Sequence, residues 1–188
     1  MIDEIVFQIK KTQKFPLMII GIDGPGGVGK TTLAKKLEER LKSAQIVHMD
    51  DFDVSKKEKM SISEDRPVGP DTKWHRVLNE VLIPLKSGIN VKYKGYDRGR
   101  DLYLRKVALS PIGIVIVEGV FALRREIFSH YDFSIWVDCS LNKRIERAMR
   151  RDGEAARDLW ENDWLPMEDK YIKVYDPSAY ADIVINTD

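Results

Sequence analysis

Apolar residues along this chain follow two patterns, short continuous runs and longer stretches in which they recur at every third or fourth position. Five short runs predict β-strands. Two of them, residues 17–22 (LMIIGI) and 112–117 (IGIVIV), have the branched composition that is typical of strands buried on both faces of a parallel sheet. The other three runs are residues 46–49, 133–137 and 183–185.

Apolar residues with helical spacing predict helices between these strands. The predicted helices are residues 2–11, 30–43, 71–85 and an arginine-rich segment that begins at residue 142 and continues to residue 175. Residues 89–93 predict a short extended segment, and residues 55–70, with two prolines and many charges, predict a mobile loop. Strands that alternate with helices indicate one α/β domain, residues 1–188, with a three-layer parallel sheet.

The composition fits that single domain and narrows the classes of partner. The chain has 188 residues, 43% of them apolar, and a formal net charge of +1, so its overall charge implies no attraction to nucleic acid or to an anionic membrane. Cys139 is the single cysteine, and there is neither a secretory leader nor a run of about 18 apolar residues. The sequence therefore predicts a reduced, cytoplasmic protein without nucleic-acid or membrane partners.

The segment GPGGVGKT, residues 24–31, matches the pattern G-x-x-x-x-G-K-[ST] and lies between a predicted buried strand and a predicted helix. Its glycines let successive backbone N–H groups converge on phosphate oxygens, at the positive end of the helix that follows. Lys30 is expected to reach the β- and γ-phosphates, and the Thr31 hydroxyl is expected to bind Mg²⁺. The residues expected to bind the nucleotide are Gly24, Gly26, Gly27, Val28, Gly29, Lys30, Thr31 and Thr32.

Carboxylates follow two of the predicted strands, where ligands of open α/β sheets bind. Asp50 and Asp51 come after residues 46–49, and one of them could accept a proton from a substrate hydroxyl or hold metal-bound water. A helix cap or a solvated turn is the alternative for this pair. Glu118 follows residues 112–117 and is expected to orient magnesium-bound water, so Thr31, Asp50 and Glu118 form the predicted metal site.

The last long helical segment carries arginines at spacings of three and four. Arg144, Arg147 and Arg151 would share roughly one helical face and could clamp a transferring phosphate, although such a cluster is also typical of a solvated face. Arg157 could belong to the same lid, residues 142–175, or form a surface ion pair.

Together these motifs resemble those of uridine kinase-like proteins. The motifs are GPGGVGKT at 24–31, MDDF at 49–52, YD at 96–97, VEG at 117–119 and VD-x8-R-x3-RD at 137–152. The resemblance extends from about residue 17 to residue 185. It implies a P-loop nucleoside triphosphate hydrolase fold of the kinase type with an arginine-rich lid, and transfer of the γ-phosphate of ATP, with Mg²⁺, to a nucleoside 5′-hydroxyl.

By position, the resemblance assigns roles to individual residues. Asp50 resembles the catalytic aspartate of the family, Glu118 its magnesium-linked glutamate, and Tyr96 with Asp97 its nucleoside-pocket pair. The lid arginines are matched by Arg144, Arg147, Arg151 and Arg157.

The departures from the family pattern lie at acceptor positions. Asp53 follows Phe52 where the family has tyrosine, and residues 98–101 (RGRD) replace the segment in which uridine kinases carry a base-reading histidine. Arg98 and Arg100 could instead recognise an anionic acceptor.

The sequence thus predicts an ATP-dependent kinase of a small hydroxyl-bearing metabolite, with uridine or cytidine as the first-named acceptor. Another ribosyl compound, a sugar phosphate or a pantothenate-like alcohol remain open as acceptors, as does the choice between ATP and GTP. A nucleotide-dependent switch and a non-catalytic nucleotide binder are the alternatives from other classes. The oligomeric state is left open.

Overall fold

A sheet of five parallel strands lies at the centre of the computed structural model, which describes residues 1–14, 16–42, 44–59, 61 and 65–188. The seven strands of the described chain are β1 (Leu17–Asp23), β2 (Ala44–His48), β3 (Val91–Asp97), β4 (Leu102–Leu109), β5 (Gly113–Glu118), β6 (Phe133–Asp138) and β7 (Ile183–Asn186). The sheet has the order β2-β5-β1-β6-β7, so the five runs predicted as strands are confirmed.

The register of the sheet brings the polar ends of its strands together. β1 pairs with β5 from Leu17 opposite Gly113 to Ile22 opposite Glu118, and β2 pairs with β5 so that His48 lies opposite Glu118. The strands β1, β5 and β6 are buried along almost their whole length, because helices or the β3–β4 hairpin cover both faces of the sheet. The carboxyl ends of β1, β2 and β5 therefore form one edge on which a site can be built.

The residues that the structure describes also form six helical segments and three short 3₁₀ turns. The helices are α1 (Ile2–Thr12), α2 (Lys30–Arg40), α3 (residues 74–86, made of Trp74–Arg76, Val77–Leu82 and Ile83–Lys86), α4 (Arg125–Phe128), α5 (Leu141–Asp152) and α6 (residues 157–175, made of Arg157–Leu159, Trp160–Trp164 and Leu165–Tyr175). The middle portions of α3 and α6 are π-helical. The 3₁₀ turns are Met49–Phe52, Glu154–Ala156 and Pro177–Ala179.

Two hydrophobic clusters pack on opposite faces of the sheet and make the three layers. Ile20 and Ile22 pack with α1 and α2 on one face, whereas Ile19 and Val115 pack with α3 and the β3–β4 hairpin on the other. This arrangement confirms the predicted three-layer α/β architecture. No helix among the described residues is long and apolar enough to cross a membrane.

The prediction of one continuous helix over residues 142–175 is wrong. α5 ends at Asp152, and Gly153 takes φ +83°, a left-handed conformation that glycine adopts without steric cost. The chain then restarts in a 3₁₀ turn before α6. Two helices joined at a glycine replace the single one.

Two other predicted helices are shorter in the structure. α2 stops at Arg40, because the backbone of Leu41, with φ −103° and ψ 85°, is no longer helical. Residue 43, the predicted end of this helix, lies outside the described residues. α3 starts at Trp74 rather than residue 71, because Thr72 forms an isolated β-bridge with Asp53. The loop predicted at 55–70 lies partly outside the described residues, and its mobility stays a prediction.

An antiparallel hairpin outside the main sheet was not predicted. The extended segment at 89–93 is the beginning of β3, and β3 pairs with β4 from Val91 opposite Leu109 to Asp97 opposite Leu102. Most residues of β4 are exposed or half-buried, so this strand lacks the continuous apolar run that marks the others. The hairpin covers the 3₁₀ turn Met49–Phe52 and thereby forms one side of the site.

Candidate active site

The loop of residues 24–31 joins β1 to α2 and needs glycine at two positions for different reasons. A Cβ atom added at Gly24, whose φ is +148°, would lie 2.0 Å from the carbonyl oxygen of Val137. At Gly26 an added Cβ would lie 2.3 Å from the ring of Trp160. β6 and α6 therefore approach the loop so closely that only glycine, which has no side chain, fits at these two positions.

Lys30 lies inside this loop rather than extending into solvent. Its side chain is buried, and its Nζ donates to the carbonyl oxygens of Gly24 at 2.7 Å and of Pro25 at 2.8 Å. The backbone thus holds the ammonium group beside the loop amides. A fixed positive charge at the N-terminus of α2 is well suited to bind phosphate oxygens.

Thr31, Glu118 and His48 form a polar cluster at the edge made by the strand ends. The Thr31 hydroxyl donates to Glu118 Oε1 at 3.1 Å, and His48 Nδ1 lies 2.5 Å from the same oxygen. The hydrogen bond to the Glu118 carboxylate raises the pKa of His48 above its usual value, although burial opposes this. This cluster joins β2, β5 and α2.

The oxygen atoms of this cluster fit Mg²⁺, which prefers hydroxyl and carboxylate ligands and takes most of its shell from water and phosphate. Thr31 and Glu118 provide those oxygens side by side, and Asp50 lines the same cavity. The described residues contain no group of three or more metal-ligating side chains. A site completed by nucleotide phosphates needs no such group.

Asp50 and Asp51, left undistinguished by the sequence, have different surroundings. Asp51 is buried, and its Oδ2 accepts hydrogen bonds from the Tyr93 hydroxyl and from Arg105, both on the hairpin. Asp50 is exposed and lines the cavity in front of the loop. Asp51 therefore anchors the hairpin, whereas the carboxylate of Asp50 is accessible to a ligand.

The main cavity has a volume of about 510 Å³ and two walls of different composition. The donor wall consists of Gly26, Gly27, Gly29, Lys30, Thr31 and Thr32. The acceptor wall consists of Asp53, Lys59, Arg66, Asp71, Arg98 and Asp163. Two indole rings connect the walls. Trp160 lies against Gly26, and its ring centroid is 4.9 Å from that of Trp164. Arg98 in turn stacks on Trp164.

The acceptor wall is charged, but the charges of its arginines are paired. Arg98 donates to Asp53 at 2.6 Å, and Arg66 pairs with Asp163 at 2.5 Å, with both side chains of the latter pair buried. Burial and the nearby charge of Asp50 raise the pKa of Asp53 to about 6, although Arg98 acts in the opposite direction. The wall therefore presents polar groups with little excess charge.

The four lid arginines predicted from the sequence lie in three different places. Arg147 and Arg151 line the main cavity. Arg144 is buried beneath the loop, where it donates to the carbonyl oxygen of Gly26 and to Glu168 at 2.7 Å. Arg157 bonds Glu154 and Glu161 at the surface and does not line the cavity. The structure thus brings two of the four to the site and places Arg144 behind it.

Tyr96 and Asp97 line a second cavity of about 530 Å³ instead of the main one. The Tyr96 hydroxyl donates to Asp101 at 2.6 Å, and Asp97 accepts a hydrogen bond from the backbone of Arg100. Residues shared with the main cavity are Thr31, Asp50 and Glu118. Asp50 therefore borders both cavities, with Arg98 in the main one and Tyr96 and Asp97 in the second.

Asp23 is a buried acid beside the loop that the sequence analysis did not single out. It accepts hydrogen bonds from the backbone of Gly24 and Leu123 and, at 2.6 Å, from the Tyr171 hydroxyl. Burial raises its pKa to about 6 despite these bonds. Its position as the last residue of a buried strand was a usable signal, because a carboxylate there must find donors.

Glu168 is a second buried acid beside the loop that sequence reasoning missed. Its Oε1 accepts from the backbone N–H of Gly26 at 2.9 Å, and its Oε2 accepts from Arg144. Burial raises the pKa of this carboxyl, while Lys30 and Arg144 lower it. Glu168 and Gly26 are 142 residues apart, so no local pattern predicts that α6 is attached to the loop in this way.

Comparisons with known proteins agree with this geometry. The model of the Phosphoribulokinase / Uridine kinase family matches residues 19–187. A uridine kinase of Staphylococcus aureus is 30% identical over 183 residues, which cover 89% of this chain and 86% of that protein. A uridine kinase of Staphylococcus carnosus is 28% identical with the same coverage.

The solved structures give a similar result. The structure of a possible uridine kinase from Bacillus stearothermophilus superposes with a TM-score of 0.77 at 25% identity, covering 98% of this chain and 96% of that one. The fold is thus the α/β P-loop fold that the sequence predicted, and the chain belongs to the Phosphoribulokinase / Uridine kinase family.

Proposed function

We propose that this protein is an ATP- and Mg²⁺-dependent kinase that transfers the γ-phosphate to a hydroxyl group of a small metabolite. The observation that carries the proposal is the presence of Asp50 in the same cavity as Lys30 and the rest of the donor wall. A site that only binds nucleotide needs the loop but no accessible carboxylate facing it. A nucleoside such as uridine or cytidine is the acceptor that the names of the relatives suggest.

Each group in the cavity has a role in this reaction. The donor wall binds the phosphates, and Lys30, Arg147 and Arg151 stabilise the negative charge that develops during transfer. Asp50 takes the proton of the acceptor hydroxyl while the oxygen of that hydroxyl bonds to the γ-phosphorus. The bond between the γ-phosphorus and the bridging oxygen of the β-phosphate breaks, and ADP is released. Mg²⁺, held by Thr31 and Glu118 together with Asp50, would neutralise phosphate charge when bound.

Residues 142–175 are proposed to act as the lid of a single kinase domain. Arg147 and Arg151 lie on α5, and Trp160, Trp164 and Glu168 lie on α6, so both helices face the cavity. Gly153 joins them and could serve as a hinge. Arg144 is proposed to position the loop through Gly26 and Glu168, and a substrate role for Arg157 stays a prediction.

A coupled ADP-release assay tests this proposal. Acceptor-dependent release of ADP is expected with at least one compound among nucleosides, sugars, sugar phosphates and pantothenate. Steady release without any acceptor would instead indicate a nucleotide-driven switch, and binding without turnover would indicate a non-catalytic family member. Assays with ATP and GTP in parallel determine which donor is used.

Three expectations from the sequence stay predictions. They are a cytoplasmic location, the lack of nucleic-acid and membrane partners, and a small-molecule acceptor as the principal partner. Sedimentation of the purified protein determines the oligomeric state.

A further inference from the structure

Two residues that depart from the uridine kinase pattern at separate places in the sequence contact each other in the structure. Asp53 stands where the resemblance expects tyrosine, and Arg98 belongs to the segment that replaces the base-reading one. Arg98 Nη2 donates to Asp53 Oδ2 at 2.6 Å, and both residues line the main cavity. We refer to them as the Asp53/Arg98 pair.

The Asp53/Arg98 pair is held in place by its surroundings on both sides. The guanidinium of Arg98 lies 5.5 Å from the ring centroid of Trp164, and the Tyr103 hydroxyl donates to the backbone oxygen of Asp53 at 2.7 Å. The Asp53 side chain is mostly buried, with 15% of its area exposed, whereas 55% of Arg98 is exposed. The pair thus differs from a fully solvated surface ion pair, and it forms a preorganised polar part of the wall.

An aromatic base would lose free energy by packing on this surface. The face of a flat base displaces water from the Asp53 carboxylate and cannot replace its hydrogen bonds. The Arg98 guanidinium, which could stack on a base, already stacks on Trp164. Hydroxyl groups can replace the lost hydrogen bonds, because each O–H can donate to Asp53 and each oxygen can accept from Arg98. Hydrogen bonds to charged partners are stronger than those between neutral groups.

A neighbouring carboxylate adds another polar group to this wall. Oδ1 of Asp71 is buried and has no hydrogen-bond partner among the described residues, and Asp71 lines the same wall. Lys59 lies 3.7 Å from the other oxygen of this carboxylate. Because Oδ1 is enclosed by protein atoms, an acceptor hydroxyl does not reach it. Asp71 contributes to the wall through the rest of its side chain, which is 21% exposed overall.

The charges of the wall argue against an anionic acceptor. Arg98 is paired with Asp53, Arg66 with Asp163, and Lys59 with Asp71. An anion that bound Arg98 would lie beside the carboxylate of Asp53 and would also approach Asp50, and both carry the same sign of charge. A neutral compound avoids both costs.

We propose that the Asp53/Arg98 pair selects a neutral, hydroxyl-rich acceptor without an aromatic base, of the class of free sugars and polyols. This inference rests on the proposed kinase function, because it specifies the acceptor of that same cavity. The groups of the pair bind hydroxyls of the acceptor that do not react, and they discriminate against uridine and cytidine.

The test compares kcat/KM for ribitol and ribose with that for uridine and for ribose 5-phosphate in the ADP-release assay. Wild-type protein is expected to prefer the two neutral polyhydroxy compounds. In Asp53→Ala and Arg98→Ala, kcat/KM for these compounds should fall about 10–100-fold, and the preference over uridine should shrink by a similar factor. Lys106→Ala is the matched control, because Lys106 is an exposed cation on the same hairpin and lies outside both cavities.

Three results separate the possible failures. ADP release that ignores every acceptor contradicts the kinase function itself. Uridine or ribose 5-phosphate as the preferred acceptor leaves the kinase function intact and overturns the selection by the Asp53/Arg98 pair. Equal losses for all acceptors would show that the pair only holds the hairpin in place, and this also overturns it.

Variants that misfold cannot produce a false positive in this design. Circular dichroism and the KM for ATP are recorded for each variant, and a loss confined to the acceptor at unchanged KM for ATP is required. Asp53→Asn with Arg98→Gln is the conservative second variant, because the amides keep polar groups at both positions. It is expected to retain the preference for ribitol over uridine, and a reversed preference in this properly folded variant would contradict the proposal.

Discussion

The donor wall and the acceptor wall of the main cavity are built in different ways. The donor wall comes from one short stretch of sequence, residues 26–32, and three of its six residues are glycines, which have only backbone groups to offer. The acceptor wall takes side chains from three separate segments, namely residues 53–71, the β3–β4 turn and α6, and joins them by ion pairs. The loop geometry fixes what the donor wall binds, whereas substitutions in the acceptor wall can change its ligand without altering the fold.

This difference has a direct consequence for mutagenesis. Changes in the donor wall or at Asp50 should slow transfer to every acceptor by the same factor. Changes in the acceptor wall should instead alter which acceptor is used. The following predictions test this separation, beginning with the largest expected effect.

Asp50→Asn should reduce kcat about 10²–10⁴-fold with every acceptor, because the amide cannot take the proton of the acceptor hydroxyl. Nucleotide binding should be nearly unchanged, as measured by titration with a fluorescent ATP analogue. Asp51→Asn is a contrasting variant, because Asp51 bonds Tyr93 and Arg105 on the hairpin, and its main effect should be on stability. Full activity of Asp50→Asn would exclude this residue as the base.

Lys30→Ala should lower kcat about 10²–10³-fold, since a fixed positive group that stabilises transition-state charge is removed. The ratio of kcat/KM between two acceptors should stay constant, because Lys30 belongs to the donor wall. Lys35→Ala on the exposed face of α2 is the control, and it should behave as wild type. A changed acceptor ratio in Lys30→Ala would contradict the separation of the walls.

Gly26→Ala should destabilise the protein by about 1–3 kcal/mol, because the new methyl group would overlap the Trp160 ring, which lies 2.3 Å from the added Cβ. Urea denaturation measures the change in the free energy of unfolding. Gly99→Ala is the matched control, because the nearest atom to its added Cβ is 3.4 Å away, and its stability should change little. Equal stability of the two variants would show that α6 does not pack tightly on the loop.

The smallest expected effect is a pH dependence that arises from His48. Its pKa is raised in the folded state by Glu118, so the stabilisation it provides is complete below its unfolded pKa of about 6.5 and is lost as the pH rises through the folded value. Titration of the imidazole by NMR should give a pKa above 6.5 in wild type and a lower one in Glu118→Gln. Identical pKa values in the two proteins would mean that the contact does not form in solution.

The sequence predicted the main sheet and the donor wall because their signals are local. Buried parallel strands appear as continuous apolar runs, and the loop is one contiguous motif at a strand end. β4 was missed because its exposed residues have no such run, and the helix break at Gly153 was missed because charged residues continue on both sides of it.

The parts of the site that could not be predicted depend on contacts between distant residues. Only the hairpin distinguishes Asp51 from Asp50, through Tyr93 and Arg105. The contact of Glu168 with Gly26 joins residues 142 positions apart, and the pairing of Asp53 with Arg98 joins residues 45 positions apart. Helical spacing placed three arginines on one face, but one of them, Arg144, contacts the loop from behind. Arg157, predicted for the same lid or for a surface ion pair, pairs with Glu154 and Glu161.

The most direct test of the central claim, that this cavity transfers phosphate to a hydroxyl group, is phosphorus NMR of a reaction of the unmodified protein with ATP, Mg²⁺ and ribitol. We expect a phosphomonoester signal that grows in proportion to ADP, and no such signal with Asp50→Asn over the same time. Formation of inorganic phosphate alone, at a rate independent of ribitol and of every other acceptor supplied, would contradict the account.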